Sequence, residues 1–427
     1  MKPIIETLCE RLVKDTEVLK YQLSHTTSQE LSGGFLNNKL GGIYRPIQAH
    51  NAARLAYQIE FSDGQVSKGG LPASTEIEQI LRVIQQGKHS PSEPIEIAPK
   101  QKVPAVELVD PDLKAKILHD PAYVSTSVKQ LQQDTESSAI EDIEGEIELR
   151  LGTTRIMNSH GLDVSSEGTR YHASVGLNSR VGYSHNTRLI KQATGILNYC
   201  SHFEQIALAL DSKPAQLDSG TYPVLFSAGT GWGILSQFLR HNLDGFQLNA
   251  RQSRYTLDDF SSKKQIAHPD FSLHYDQTSP MDYQSFKFDG EGVTAQKFTL
   301  IQDGKLTAPV CDLKSARQLG FKPKSLGSLK TKVVQAKTYD DFVHNNETFL
   351  LVFGVLGLHS VNSVSGDYSL PSDNVLLVRN GKIEGPINAV LTGNFFDNLM
   401  ETSTHFVNAS HLFDSPALTL KTQVTIK

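Results

Sequence analysis

The chain has 427 residues, 38% hydrophobic and 20% charged, with a formal net charge of −5 and a pI near 6.3. This is room for roughly two to three globular domains, each with its own core. The charge excludes a basic nucleic-acid surface, and no apolar run approaches the ~18 residues of a membrane span.

The N-terminal MKPIIETLCERLVKDTE has no continuous apolar core of signal-peptide type. A cytoplasmic protein with neither nucleic acid nor membrane as partner is expected. Cys9, Cys200 and Cys311 are isolated. Their odd count argues against a disulfide framework, and each reads as a small buried hydrophobe rather than a ligand.

In chain order, Ile4, Ile5, Leu8, Leu12 and Val13 predict an amphipathic helix. Residues 17–23 predict a strand, and the turn-rich Leu31–Pro46 a hairpin. Leu55, Tyr57, Ile59 and Phe61 alternate as a half-buried strand closed by Ser62-Asp63-Gly64. Thr75 and Glu78 have capping-box spacing ahead of Ile77, Ile80, Leu81 and Ile84, with Gly87 as the stop. The Pro-rich Ser90–Pro104 predicts a loop. A helix is predicted over about Val124–Ile143, then strands with a turn at Gly152, then a strand over Thr169–Leu177. A long helix over Leu189–Leu210 closes the N-terminal part, and the boundary is placed near Ala215.

The next stretch, Ser219–Gly245, reads as strand, glycine turn and helix. Tyr222–Phe226 is a short apolar run, Gly229, Gly231 and Gly233 punctuate a turn, and Ile234, Leu235, Phe238 and Leu239 share a helix face. Gly245 is the predicted stop. The glycines are open to two readings: a phosphate-binding turn, or close packing of strand on helix. Beyond them the chain is strand-rich. Asp303-Gly304 and Asn380-Gly381 each predict a two-residue hairpin. His268 and His274 fall in a predicted loop and read as solvated.

Ser219–Gly245 also resembles the metal-site helix of the TldD/PmbA ("modulator of DNA gyrase") metallopeptidase family. Active members carry His-Glu-x-x-x-His there; the matching positions here are Ser236, Gln237 and His241. Further resemblances follow in the family's order. They are Asn158-Ser159-His160-Gly161, the turn Phe288-Asp289-Gly290-Glu291-Gly292, the helix end Ala316-Arg317-Gln318-Leu319-Gly320, Asn362 with Gly366-Asp367-Tyr368-Ser369, and Thr392-Gly393-Asn394-Phe395. The match covers nearly all of residues 155–427, while residues 1–150 agree only in general pattern.

Serine is a poor zinc ligand and glutamine cannot titrate. The tail also lacks the cysteine that active members use. Ser415-Pro416-Ala417-Leu418 resembles instead the PmbA/TldE branch, which lacks the metal motif.

The resemblance implies an α+β fold: an N-terminal α/β domain, residues 1–215, and a C-terminal antiparallel, barrel-like β domain, residues 216–427. It implies a non-catalytic, metal-free and cofactor-free subunit that holds unfolded peptide or peptide precursors beside a TldD-type catalytic subunit, with a homodimer as the fallback. A stand-alone metallopeptidase and a non-enzymatic protein-binding modulator are the alternatives.

Among candidate site residues, Asp289 and Glu291 are paired carboxylates on a glycine-flanked turn, open to acid–base use or turn capping by Asp289. Trp232, Asp289, Gly290, Glu291 and Gly292 are candidate peptide-cleft or turn residues. His241 is expected at a helix end, and Cys311 is a further ligand only if the fold brings it near His241.

Overall fold

The computed structural model describes residues 3–38, 41–91, 93–137, 139–178, 180–324, 336–409 and 416–427. The N-terminal half is a six-stranded antiparallel sheet. Its strands are β1 (Val18–Asn38), β2 (Gly41–Phe61), β3 (Val66–Pro72), β4 (Ile143–Asn158), β5 (Asp163–Leu177) and β6 (Val181–Thr187), ordered β3-β2-β1-β4-β5-β6. The long β1–β2 hairpin absorbs the predicted strand at 17–23, the predicted hairpin and the predicted strand at 55–61 into one unit.

Period-two alternation divides the sheet's faces. One face is apolar: Leu31, Phe35, Ile147, Leu149, Tyr171 and Ala173 pack under the helices Pro111–His119, Ala122–Asp134 and Leu197–Leu210. At its far end Tyr21, Leu23, Leu55 and Ile59 pack under the helices Ile4–Lys14 and Ile77–Gln86. On the other face Ile156 and Val164 are covered by Ala98, Leu162 and Phe288. Val66, Ile95 and Ile97 form a second small apolar cluster at the β3 edge of that face, and the stretch between, around Ser28, Arg150, Gly152 and Arg170, is polar.

Local details depart from expectation. The helix at 77–86 has no side-chain cap; Glu78 pairs with Arg11 of the first helix, so the capping box does not form. The helix expected at 124–143 spans only 122–134, and an unexpected helix precedes it at 111–119, capped by Asp110, which accepts from Asp112 N–H at 2.9 Å. Gly152 is not a turn: it lies mid-strand in β4, opposite Gly168, and the chain reverses instead at Asn158–Gly161.

The C-terminal half holds β7 (Gly220–Phe226), a three-stranded sheet of β8 (Leu273–Asp276), β9 (Lys297–Gln302) and β10 (Lys305–Leu306), and β11 (Ala336–Thr338), β12 (Thr348–Val352), β13 (Asp367–Arg379), β14 (Lys382–Asn394), β15 (Phe406–Asn408) and β16 (Ala417–Ile426). β7, β12, β13, β14 and β16 close into a five-stranded barrel, because β7 pairs with both β12 and β16. All its joints are antiparallel except β7–β12, which is parallel. Both predicted hairpin turns form, with positive φ at Asp303, Gly304, Asn380 and Gly381.

Alternate barrel residues serve two cores. Val224, Phe226, Leu350, Val352, Leu418 and Leu420 pack with Ile234 and Phe238. Leu225, Phe349, Leu351, Leu376 and Ala417 join the cluster that lines the N-terminal sheet and the helix Leu197–Leu210. Ala215, where the boundary is expected, donates its N–H to Pro386 O at 2.9 Å.

Cys311 is fully buried and Cys9 is half-buried, its thiol 3.1 Å from Tyr21 Oη. The side chain of Cys200 and the residue Ser415 lie outside the described residues. His274 is on β8, hydrogen-bonded with Thr299 Oγ1 at 2.8 Å, not in a solvated loop. No described helix is long and apolar enough to cross a membrane.

Candidate functional site

From β7 the chain passes through Ser227 directly into the helix Ala228–Leu235. The glycines expected to form a turn are inside that helix. A Cβ on Gly231 would sit 2.8 Å from Leu418 Cβ, so this glycine lets the helix lie against β16. The helix does stop next to Gly245, at Leu243 with Asp244 as its end residue, but Gly245 itself is not the cap. It opens the next helix, Gly245–Asn249, where a Cβ would lie 2.4 Å from Cys311 Sγ.

Over Ser236–Arg240 the helix widens into a π turn before resuming as His241–Leu243. Asn242, fully buried, fixes the widening. Its Nδ2 donates to Phe238 O and to Ser363 O, both at 2.7 Å, and its Oδ1 accepts from Arg254 N–H at 2.6 Å. Positions five apart lie about 140° apart around a regular α-helix. A turn with i→i+5 bonding stacks them. The wide turn therefore brings Ser236 and His241 to one side, as a two-ligand helix with that spacing needs.

The side chains there do other work. Gln237 Nε2 donates to Ser363 Oγ at 3.1 Å, and His241 Nε2 donates to Gln252 O at 2.8 Å. Ser236 and Trp232 line a small apolar cavity with Leu239, Leu273 and Leu300. Trp232 stacks on Phe406, with ring centroids 5.4 Å apart. These residues do not fit a metal ion. The described residues contain no group of three or more His, Cys, Asp or Glu placed to hold one. Cys311 comes close to the helix at Gly245, but burial pushes its thiol up to about 12, which disfavours the thiolate that a metal needs.

The turn Phe288–Gly292 lies elsewhere, docked on the end of the N-terminal sheet. Asp289 Oδ1 accepts from Glu291 N–H and Val293 N–H, both at 2.9 Å, and so caps its own turn. Gln22 Nε2 donates to Gly290 O at 3.4 Å, and Gln101 Nε2 to Gly292 O at 2.6 Å. Gly292 has φ +83°, and a Cβ there would meet Leu162 Cδ2 at 2.7 Å. Glu291 Oε2 accepts from Leu313 N–H at 3.0 Å, and burial raises its carboxyl above the usual range. The helix it meets, Leu313–Leu319, packs on Gly245 through Ser315. The two candidate sets are thus joined through Glu291, not merged into one site.

Phe288, Asp289 and Gly290 line a groove of about 360 Å³ over the polar sheet face. Arg188, 3% exposed, lies at this groove. Its guanidinium donates to five backbone carbonyls: Asp282 O at 2.8 Å, Thr169 O at 2.8 Å, Ser285 O at 2.7 Å, Tyr283 O at 3.3 Å and Leu108 O at 3.4 Å. Burial, with Arg170 nearby, lowers it to about 10. Neither Arg188 nor Asn242 carries a sequence signal, since each acts through backbone groups far along the chain.

The description "PmbA/TldA metallopeptidase C-terminal domain" matches residues 219–421. Residues 219–421 belong to the PmbA/TldD family. An uncharacterized Methanocaldococcus jannaschii protein is 24% identical over 272 residues, 61% of this chain and 63% of that protein. The metalloprotease TldD homolog of Buchnera aphidicola is 25% identical over 309 residues, 68% of this chain and 61% of that one. The metalloprotease PmbA of Escherichia coli is 27% identical over 189 residues, 43% and 41% of the two chains. The matched stretches span less than two thirds of these relatives.

Among solved structures, TldE from Thermococcus kodakarensis superposes with a TM-score of 0.78 at 17% identity, over 99% of this chain and 100% of that one. A gyrase-modulator-type protein of Bacteroides thetaiotaomicron gives 0.80 at 16% identity, over 99% and 98%. The PmbA/TldD fold thus extends over the N-terminal sheet as well.

Proposed function

We propose that this chain is a TldE/PmbA-like, non-catalytic subunit of a TldD/TldE-type metallopeptidase acting on unfolded peptides or peptide precursors. One observation carries the reading. The π turn stacks Ser236 and His241 in the frame of a metal helix, while Gln237 is an amide and His241 Nε2 is spent on Gln252 O. A chain built this way contributes a surface and leaves the chemistry to a partner. The likeness to TldE across both whole chains supports it. Extended peptides are held well by added strand pairing, and a strand-rich chain offers such edges. The same reading places the complex in the cytoplasm, in keeping with free thiols at Cys9 and Cys311.

The test is co-expression with TldD-type proteins of the same source. A stable heterodimer is expected, burying upwards of ~2,000 Å² if obligate, with peptidase activity in the complex and none in this chain alone. Peptidase activity of the isolated, metal-loaded chain, abolished by His241→Ala, would overturn the reading in favour of a stand-alone enzyme.

A further inference from the structure

The polar face of the N-terminal sheet carries a trough where side chains are missing. Ser28, Gly152 and Gly168 stand in register across β1, β4 and β5. Gly152 has only one backbone oxygen, Thr27 O, within 4 Å of where its Cβ would be. A Cβ on Gly168 would meet Arg188 Nη1 at 2.9 Å, so the glycine makes room for the buried guanidinium. Along one wall runs the segment 282–290, held to the sheet by Arg188.

Two groups in this trough are unspent. Ser285 is 0% exposed and lines the groove, and its hydroxyl has no hydrogen-bond partner. A buried hydroxyl left unpaired costs about 1–3 kcal/mol, so an unpaired one at a cavity wall marks a place for a ligand atom. Arg170 also lines the groove. It rests over the Tyr283 ring at 5.1 Å and pairs with no carboxylate among the described residues. Arg150 Nε donates to Ser28 Oγ at 3.0 Å at the same place. Arg188 adds charge; its hydrogen-bond partners are all backbone carbonyls, and the Asp282 carboxylate is the nearby acidic group.

We infer that the trough is a carboxylate-binding site, with Ser285 Oγ–H and the Arg170 guanidinium as donors and Arg188 as a fixed source of positive potential. A planar fork and one hydroxyl match the two oxygens of a carboxylate. A phosphate is the poorer fit. Glu30 stands opposite Arg150, Glu148 lies two residues along β4 on the same face, and Asp289 stands on the rim. This acidic surround penalises a dianion more than a monoanion. The carboxylate is that of a peptide, either its chain terminus or an acidic side chain. That identity rests on the function proposed above; the site itself belongs to this chain alone.

The experiment measures binding to the isolated full chain by NMR titration or calorimetry. The probes are Ac-Ala-Ala-Ala with a free C-terminal carboxylate, the same peptide as its amide, Ac-Ala-Glu-Ala amide, and inorganic phosphate. The free acid or the Glu peptide should bind at least tenfold more tightly than the neutral amide, the stronger of the two naming the source. Arg170→Gln, at an exposed position, should cost at least tenfold in that affinity. Ser285→Ala should weaken it severalfold while leaving Tm unchanged or raised, because it removes an unpaired buried hydroxyl; a structural role would move Tm downward instead. Equal binding of acid and amide, no binding of either carboxylate, a preference for phosphate, or unchanged affinity in both variants would each overturn the assignment. A missing catalytic partner would not touch it, since no partner is in the tube.

Discussion

Ser236→His and Gln237→Glu together would give the helix after β7 the His-Glu-x-x-x-His pattern that it resembles. The π turn would stack the new histidine with His241. The double variant should nonetheless bind no stoichiometric zinc, because a catalytic site needs three protein ligands and His241 is engaged by Gln252 O. Elemental analysis of untagged protein checks this, and one equivalent of zinc would show that a further ligand is within reach. A second residue, His405, sets a pH dependence. Its ring packs edge-on to Phe342, and burial, with Lys337 nearby, lowers its pKa from 6.5 to about 4. Below 6.5 the unfolded chain takes up a proton that the folded ring refuses. The stability contribution is therefore complete above that pH and is lost as pH falls toward 4. Its size is up to roughly 2 kcal/mol after allowing for partial exposure. His405→Leu should flatten that limb of a urea-midpoint-against-pH curve; an unchanged slope would mean that other groups set it.

At the scale of elements, the helix after β7 shows what the sequence could reveal. Its apolar stripe of Ile234, Leu235, Phe238 and Leu239 was legible from spacing, and these residues are buried. The role of its glycines was not. Gly231 and Gly245 read as turn or stop because glycine usually marks those, whereas here they mark contacts with Leu418 and Cys311, nearly 190 and 66 residues further on in the chain. Gly152 misled in the same way, since a glycine opposite a glycine across a sheet looks locally like a turn. Hairpins were legible because Asp-Gly and Asn-Gly act within a few residues. Gly245→Ala should lower stability by about 1–3 kcal/mol through overpacking, despite alanine's better helix propensity. Adding Cys311→Ala should restore much of it, and strictly additive losses in thermal melts would show that the two residues do not meet.

Across the whole molecule, an α+β architecture with a C-terminal barrel was legible from the ordered motifs. The sharing of the core was not. One apolar cluster takes Phe203, Ile206 and Leu210 from one side of Ala215 and Leu225, Phe349 and Leu376 from the other. Period-two alternation shows that a strand has two faces, but not which neighbour each face meets. The candidate site was legible to a similar degree. The helix after β7 and the glycine-flanked turn were located by their motifs, whereas the widening of that helix, and Arg188, Ser285 and Asn242, depend on contacts brought about only by the fold. The proposed heterodimer belongs to this scale too, since neither turn alone supplies a partner surface.

The closing joint of the barrel also sets an order of events during synthesis. β7 pairs on one side with β12, about 125 residues later, and on the other with β16, almost 200 residues later. A ribosome adding about 5–20 residues per second releases β7 many seconds before either neighbour exists. Throughout that interval Val224, Leu225 and Phe226 present a bare apolar strand with both edges open, the kind of segment that aggregates or recruits a chaperone.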